Sequence, residues 1–122
     1  MDCIFCKIIG GEISAYKLYE DDLVLCFLDV NPDSNGHCLI IPKRHYKDID
    51  EIDNNTLIHI MEITRKIKKL LEDKLHIDGL TLVQNNGEVQ EVKHYHLHLK
   101  PYYKVTKDLL SVEEVYNIIK EA

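Results

Sequence analysis

A chain of 122 residues suits one domain with a modest core and is too short for two independent ones, so a single site is expected. Fifteen Lys and Arg stand against 21 Asp and Glu, a net charge of -6, and no basic block or basic-aromatic alternation offers to neutralise a phosphate backbone; a nucleic-acid partner is not expected. The longest apolar runs, such as residues 23–30, fall far short of the roughly 18 residues of a membrane span, and Met1-Asp2-Cys3 opens acidic without an apolar signal core, which predicts a cytoplasmic protein with its own start and no membrane partner.

Cys3 and Cys6 open the chain at the spacing of a metal-ligand pair, since a reducing compartment argues against a disulfide framework. Residues 16–20 and 23–30 are β-branched and aromatic runs separated by Asp21-Asp22, the pattern of a hairpin. Cys26, in the second run, and Cys38 read as core filling. A third strand is predicted over residues 37–42, after the turn-rich Asn31-Pro32-Asp33-Ser34-Asn35-Gly36. Over residues 54–76, Leu57, Ile60, Met61, Thr64, Ile67 and Leu71 recur at helical spacing with Lys and Glu opposite, and Gly79 lies just past the end. This predicts one long amphipathic helix packed on the sheet, with its His59 and His76 solvated or capping. Residues 79–84 and 93–103 return to strand-like sequence around the polar Asn85-Asn86-Gly87, giving about five strands. Ser111 with Glu114 forms a capping box that opens a terminal helix through Ala122.

His94, His96 and His98 occupy every second position of the last predicted strand. Alternation puts the three imidazoles on one face and Tyr95, Leu97 and Leu99 on the other, where they can pack on the helix. A lone strand histidine is usually structural, whereas three in alternation point to a shared site. Two chemistries suit such a cluster. The imidazoles can hold a catalytic zinc with an open position. Alternatively, one neutral imidazole attacks an electrophilic phosphorus or carbonyl while a neighbour supplies a proton.

With its flanking segments the sequence resembles the histidine triad (HIT) superfamily, and within it the Hint-like branch of purine nucleotide hydrolases. The resemblance spans residues 3–103 and rests on Cys3-Ile4-Phe5-Cys6-Lys7-Ile8-Ile9, Phe27-Leu28-Asp29-Val30-Asn31-Pro32, Gly36-His37 with Ile40-Ile41-Pro42-Lys43-Arg44-His45, Asn85-Asn86-Gly87, and His94-Tyr95-His96-Leu97-His98. It implies a single HIT domain over residues 1–122 with a C-terminal helical extension at 111–122. The implied fold is α+β: a five-stranded antiparallel sheet, one long helix packed on it, and short N- and C-terminal helices. The implied activity is hydrolysis or transfer at the α-phosphate of a nucleoside phosphoramidate or related purine nucleotide. His96 would be the nucleophile, forming a nucleotidyl-histidine, with His98 at the phosphate and leaving group and His37 beside them. Asp29 would take the ribose hydroxyls. Phe5, Ile8, Phe27 and Val30 would wall the base pocket, and Asn85 and Gln90 would sit at the phosphate. Cys3, Cys6, His45 and His94 would hold a structural zinc, leaving no catalytic cofactor. A homodimer built through the long helix and a strand is also implied.

The sequence departs from the family pattern before the triad. Residues 87–93, Gly87-Glu88-Val89-Gln90-Glu91-Val92-Lys93, run two residues short, and Glu91 replaces a small residue. A carboxylate turned toward a phosphate would repel it, which leaves a nucleotide-binding module with little turnover as the alternative to a hydrolase. Lys100 and Tyr102 also differ, standing where the family has an apolar residue and an arginine.

Overall fold

The computed structural model describes residues 3–121. Its elements in chain order are α1 (Ile4–Ile9), β1 (Lys17–Glu20), β2 (Val24–Leu28), β3 (Cys38–Pro42), α2 (Asn54–Leu75), β4 (Gly79–Gln84), a single 3-10 turn (Gly87–Val89), β5 (Leu97–Tyr102) and α3 (Val112–Lys120). The strands form one antiparallel sheet in the order β1-β2-β3-β5-β4. This is the α+β arrangement expected from the sequence.

The alternation of strand side chains builds two layers. Val24, Cys26 and Leu28 of β2, Cys38 and Ile40 of β3, and Leu97 and Leu99 of β5 face Ile60, Ile63, Ile67 and Leu71 of α2. Leu25, Phe27, Leu39 and Ile41 point the other way and meet Phe5 and Ile8 of α1. Each fully buried aliphatic contributes on the order of 1.5–3 kcal/mol of transfer free energy, so the α2 face is the larger source of stability. The helical stripe differs from the expected one at two steps, the first being that Thr56 is buried and Leu57 only partly so. At the second, Ile63 is buried and Met61 is 43% exposed, because a 3.6-residue period over 22 residues rotates the buried stripe past Met61.

Asp21 shapes the hairpin and ties it to α2. One carboxylate oxygen accepts from the amides of Leu23 and Val24 at 2.8 and 2.9 Å, and the other accepts from Tyr19 Oη at 2.7 Å and His59 Nε2 at 2.6 Å. Burial alone would raise this carboxyl, but the His59, Tyr19 and amide hydrogen bonds outweigh it and hold Asp21 well below the usual carboxylate range. His59 is thus engaged rather than merely solvated.

Several boundaries move from their expected places. α2 is closed by His76, left-handed at φ 54, with its amide on Glu72 O at 3.1 Å; Gly79 instead opens β4. β2 stops at Leu28 because Asp29 begins a turn, accepting the Asn31 amide at 2.9 Å. β5 begins at Leu97 and not at Lys93, since the amide of Tyr95 is bonded to Tyr46 O at 2.7 Å and leaves the ladder. The expected capping box of Ser111 and Glu114 is present. α3 ends at Lys120, and the expected extension to Ala122 lies outside the described residues. Val115 and Ile119 of α3 join the α2 layer.

Candidate active site and metal centre

The bent segment 93–96 divides the three histidines that the alternation had placed together. His94 is fully buried, and its Nε2 lies 2.8 Å from Pro42 O. A carbonyl only accepts, so the proton sits on Nε2 and Nδ1 presents a lone pair. That lone pair faces Cys3 Sγ at 3.4 Å, Cys6 Sγ at 3.6 Å and His45 Nδ1 at 3.1 Å, while Cys6 Sγ and His45 Nδ1 are 3.2 Å apart. The four form a group able to hold a metal ion. A tetrahedral ion with bonds of about 2.3 Å to sulfur and about 2.0–2.1 Å to nitrogen needs ligand separations of roughly 3.3–3.8 Å. The observed separations of 3.1–3.6 Å lie within a few tenths of an ångström of that, and the two-sulfur, two-nitrogen donor set fits such an ion. Burial lowers His94 to about 4, which keeps it a neutral ligand, and the Pro42 carbonyl orients the ring as an outer partner does in metal sites. Without a cation, burial and the neighbouring Cys3 push the Cys6 thiol up to about 11. A bound divalent ion reverses that logic and stabilises the thiolate.

His96 faces elsewhere. It is 5% exposed, and its Nδ1 donates to His94 O at 2.8 Å, so the bare lone pair is on Nε2. Phe5 packs edge-on against its ring at 5.1 Å and against Phe27 at 5.8 Å. Burial lowers the His96 pKa below the ordinary histidine value, partly opposed by the His94 carbonyl and the charges of Asp29 and Glu91.

His98 stands 5.0 Å from His96 ring to ring, on the α1 face of the sheet. Its protonation is set from the β2–β3 loop. The Asp33 amide donates to His37 Nδ1 at 3.0 Å, which leaves the His37 proton on Nε2. That nitrogen is 3.0 Å from His98 Nδ1 and 3.5 Å from Asp29 Oδ2. His98 accepts at Nδ1 and so carries its own proton on Nε2 as a donor. Burial first, then the charges of His96, His37 and Lys100, lowers His98 to about 4. Asp29, His37 and His98 lie close enough to be grouped as a second potential metal cluster, but their facing atoms already satisfy one another. The triad itself does not converge on one point, which argues against its use as a three-histidine catalytic metal site.

Other expected site residues are placed as follows. Phe5, Ile8 and Phe27 are buried beside His96 or in the same apolar layer, whereas Val30 is 71% exposed. Asn85 is half-buried and follows Gln84, the partner of Leu97 in the ladder. Gln90 does not extend freely toward a ligand: it is buried, its Nε2 donates to Lys47 O at 2.7 Å, and its Oε1 has no partner. Glu91 is exposed, so the shortened loop turns it outward, although its charge still reaches His96. The loop is closed by Lys93, whose ammonium donates to Gly87 O at 2.6 Å and Gln90 O at 2.8 Å. Lys93, Asp33 and Lys100 were not singled out as site residues by sequence reasoning. Lys100 is two positions beyond His98 on the same strand face, a period-2 signal that was available, and it pairs with Asp33 at 2.8 Å.

A HIT domain family model matches residues 10–105. An uncharacterized HIT-like protein of Methanocaldococcus jannaschii is 45% identical over 118 residues, covering 95% of this chain and 91% of that protein. The adenosine 5'-monophosphoramidase HNT1 of Saccharomyces cerevisiae is 42% identical over 101 residues, 81% of this chain and 61% of that one. In structure, a Zn-bound histidine triad family protein from Mycobacterium smegmatis superposes with a TM-score of 0.89 at 31% identity, covering 98% of this chain and 91% of that chain. The chain belongs to the HIT family, as its histidine triad and five-stranded sheet already indicate.

Proposed function

We propose that this protein is a nucleotide hydrolase that cleaves nucleoside phosphoramidates or related purine nucleotides at the α-phosphate through a nucleotidyl-His96 intermediate. The observation that carries this reading is the orientation of His96: its Nδ1–H is spent on a backbone carbonyl, so Nε2 enters the reaction unprotonated and fixed in direction. The bond from Nε2 to phosphorus forms as the bond to the leaving group breaks, and the leaving group departs with a proton taken from solvent. Water then attacks phosphorus, the phosphorus–Nε2 bond breaks, and the nucleoside monophosphate is released as the water's proton returns to solvent. The Nε2–H of His98 is the donor available to phosphoryl oxygens and the leaving atom, and phosphoryl transfer depends mainly on such positioning. Asp29 takes the ribose hydroxyls, and Phe5, Ile8, Phe27 and Val30 the base. Asn85 serves the phosphate end, and Gln90 acts there only by holding the loop. The names of relatives such as the adenosine 5'-monophosphoramidase support the substrate class.

Cys3, Cys6, His45 and His94 hold a structural zinc in this reading, supported by the donor set and its spacing. A homodimer is supported by the open outer edge of β4 and the exposed Ile58, Met61 and Leu82. No helix among the described residues is long and apolar enough to cross a membrane, and four cysteines without a disulfide suit a reducing, cytoplasmic setting.

The test is turnover of adenosine 5'-phosphoramidate by the purified protein. His96→Ala is expected to lower kcat by about 10³-fold or more while AMP binding persists. The outward turn of Glu91 removes the main reason for the alternative, a binding module, and binding of AMP without any turnover by the unaltered protein would establish that alternative instead.

A further inference from the structure

The family model ends at residue 105, yet the chain continues into a segment that grips the loop carrying Asp29 and His37. The grip passes through Asn35, a buried polar residue at 7% exposure. Its Nδ2 donates to Asp108 O at 3.0 Å, and its Oδ1 accepts the Leu110 amide at 2.9 Å. Its own carbonyl accepts the Tyr103 hydroxyl at 2.6 Å. One loop residue is therefore bound at three atoms, two of them by residues past 105 and the third by Tyr103 just before them. Two further ties lie beside it: Ser34 Oγ donates to Pro101 O at 2.7 Å, and Asp33 pairs with Lys100. Gly36 next in line has φ +95 and leaves no room for a side chain, since a Cβ would come 2.6 Å from Leu75. Behind the loop, Leu28, Asp29 and His37 share a small pocket with Leu110, Val112 and Val115.

A loop that only had to connect β2 to β3 would need none of these bonds. What the loop must hold is the Asp29 carboxylate. One of its oxygens already accepts the Asn31 amide and the other faces His37, so both of its internal partners move with the loop. Two ribose hydroxyls can share that carboxylate only if it stays within hydrogen-bond range of both, and such contacts weaken steeply with displacement.

We propose that residues 103–115 are a specificity device: acting through Asn35, a positioning residue, they hold the Asp29 loop so that ribose nucleotides are preferred to 2'-deoxyribose nucleotides. The inference rests on Asp29 being the ribose ligand. Calorimetric affinities for AMP and 2'-deoxy-AMP are measured for the unaltered protein, Asp29→Asn, Asn35→Ala and Tyr103→Phe, with thermal melting recorded for each. Tyr103→Phe removes a single bond and opens no cavity, which keeps the test valid if Asn35→Ala folds poorly. The unaltered protein is expected to favour AMP by about tenfold, the equivalent of one charge-assisted hydrogen bond. Asp29→Asn should abolish the preference, and both loop variants should reduce it severalfold, more than any loss of melting temperature would explain. A preference that vanishes in Asp29→Asn but is intact in both loop variants overturns the specificity device alone. A preference absent from the unaltered protein, or untouched in Asp29→Asn, overturns the ribose role of Asp29 and the inference with it.

Discussion

At the scale of single residues, the site is governed by which nitrogen of each histidine holds a proton, and the backbone decides this directly for His94, His96 and His37 and through His37 for His98. Pro42 O fixes His94, His94 O fixes His96, and the Asp33 amide fixes His37, which in turn fixes His98. A consequence is readable in pH. Burial lowers His96 from its ordinary value of 6.5, and lowers His98 to about 4. A depressed imidazole stays neutral until pH falls through its folded-state value, so His96 keeps its lone pair until that descent. The acid limb of kcat/KM is therefore expected below pH 6.5, with little change between 6.5 and 7.5. A limb at or above 6.5 would contradict this electrostatic picture. Not all of it was legible in the sequence. The alternation of His94, His96 and His98 predicted a cluster, and His96 and His98 do stand 5.0 Å apart ring to ring, but it misplaced His94 and His96 in a strand, because no side-chain pattern reports that the Tyr95 amide is used by Tyr46. Val30 and Gln90 show the same limit: their types suit a binding site, while their exposure and partners are decided by loop geometry.

At the scale of elements, the strands and long helix were legible because their burial follows the periods of 2 and 3.6, and the hairpin because Asp21 has the residue type its turn uses. His76 as a left-handed cap was not, since glycine is the usual signal and Gly79 was present as a distractor. Helix α1 is the element whose position depends most on chemistry outside the core. It has six residues, too few to persist alone, and the Cys3 thiol caps it at the Cys6 amide. The four-ligand cluster would anchor α1 to the sheet and so hold Phe5 against His96. One equivalent of zinc is thus expected by metal analysis of the purified protein. A Cys3→Ser, Cys6→Ser double variant should lose it together with several degrees of melting temperature. Metal retained by that variant would indicate binding at the triad instead.

At the scale of the whole molecule, the sheet has two edges with different fates. Near β1 the core holds Val115 and Ile119 of α3, and Lys120 reaches Leu18 O, while β4 presents its outer edge and a half-exposed Leu82. Sedimentation of the 14.3 kDa chain is expected to give a dimer mass, and Leu82→Lys, which places a charge on that edge, should shift it toward monomer. A monomer at all concentrations would remove the dimer from the account. The −6 charge and the absence of a basic stripe are consistent with a small substrate held by a few directed contacts.

A covalent bond between His96 Nε2 and phosphorus is tested by mass spectrometry of acid- and base-quenched reactions with adenosine 5'-phosphoramidate. An adenylyl adduct is expected on the peptide containing His96, present during turnover and missing in His96→Ala. Turnover with no adduct at any quench time, or an adduct that survives in His96→Ala, would contradict it.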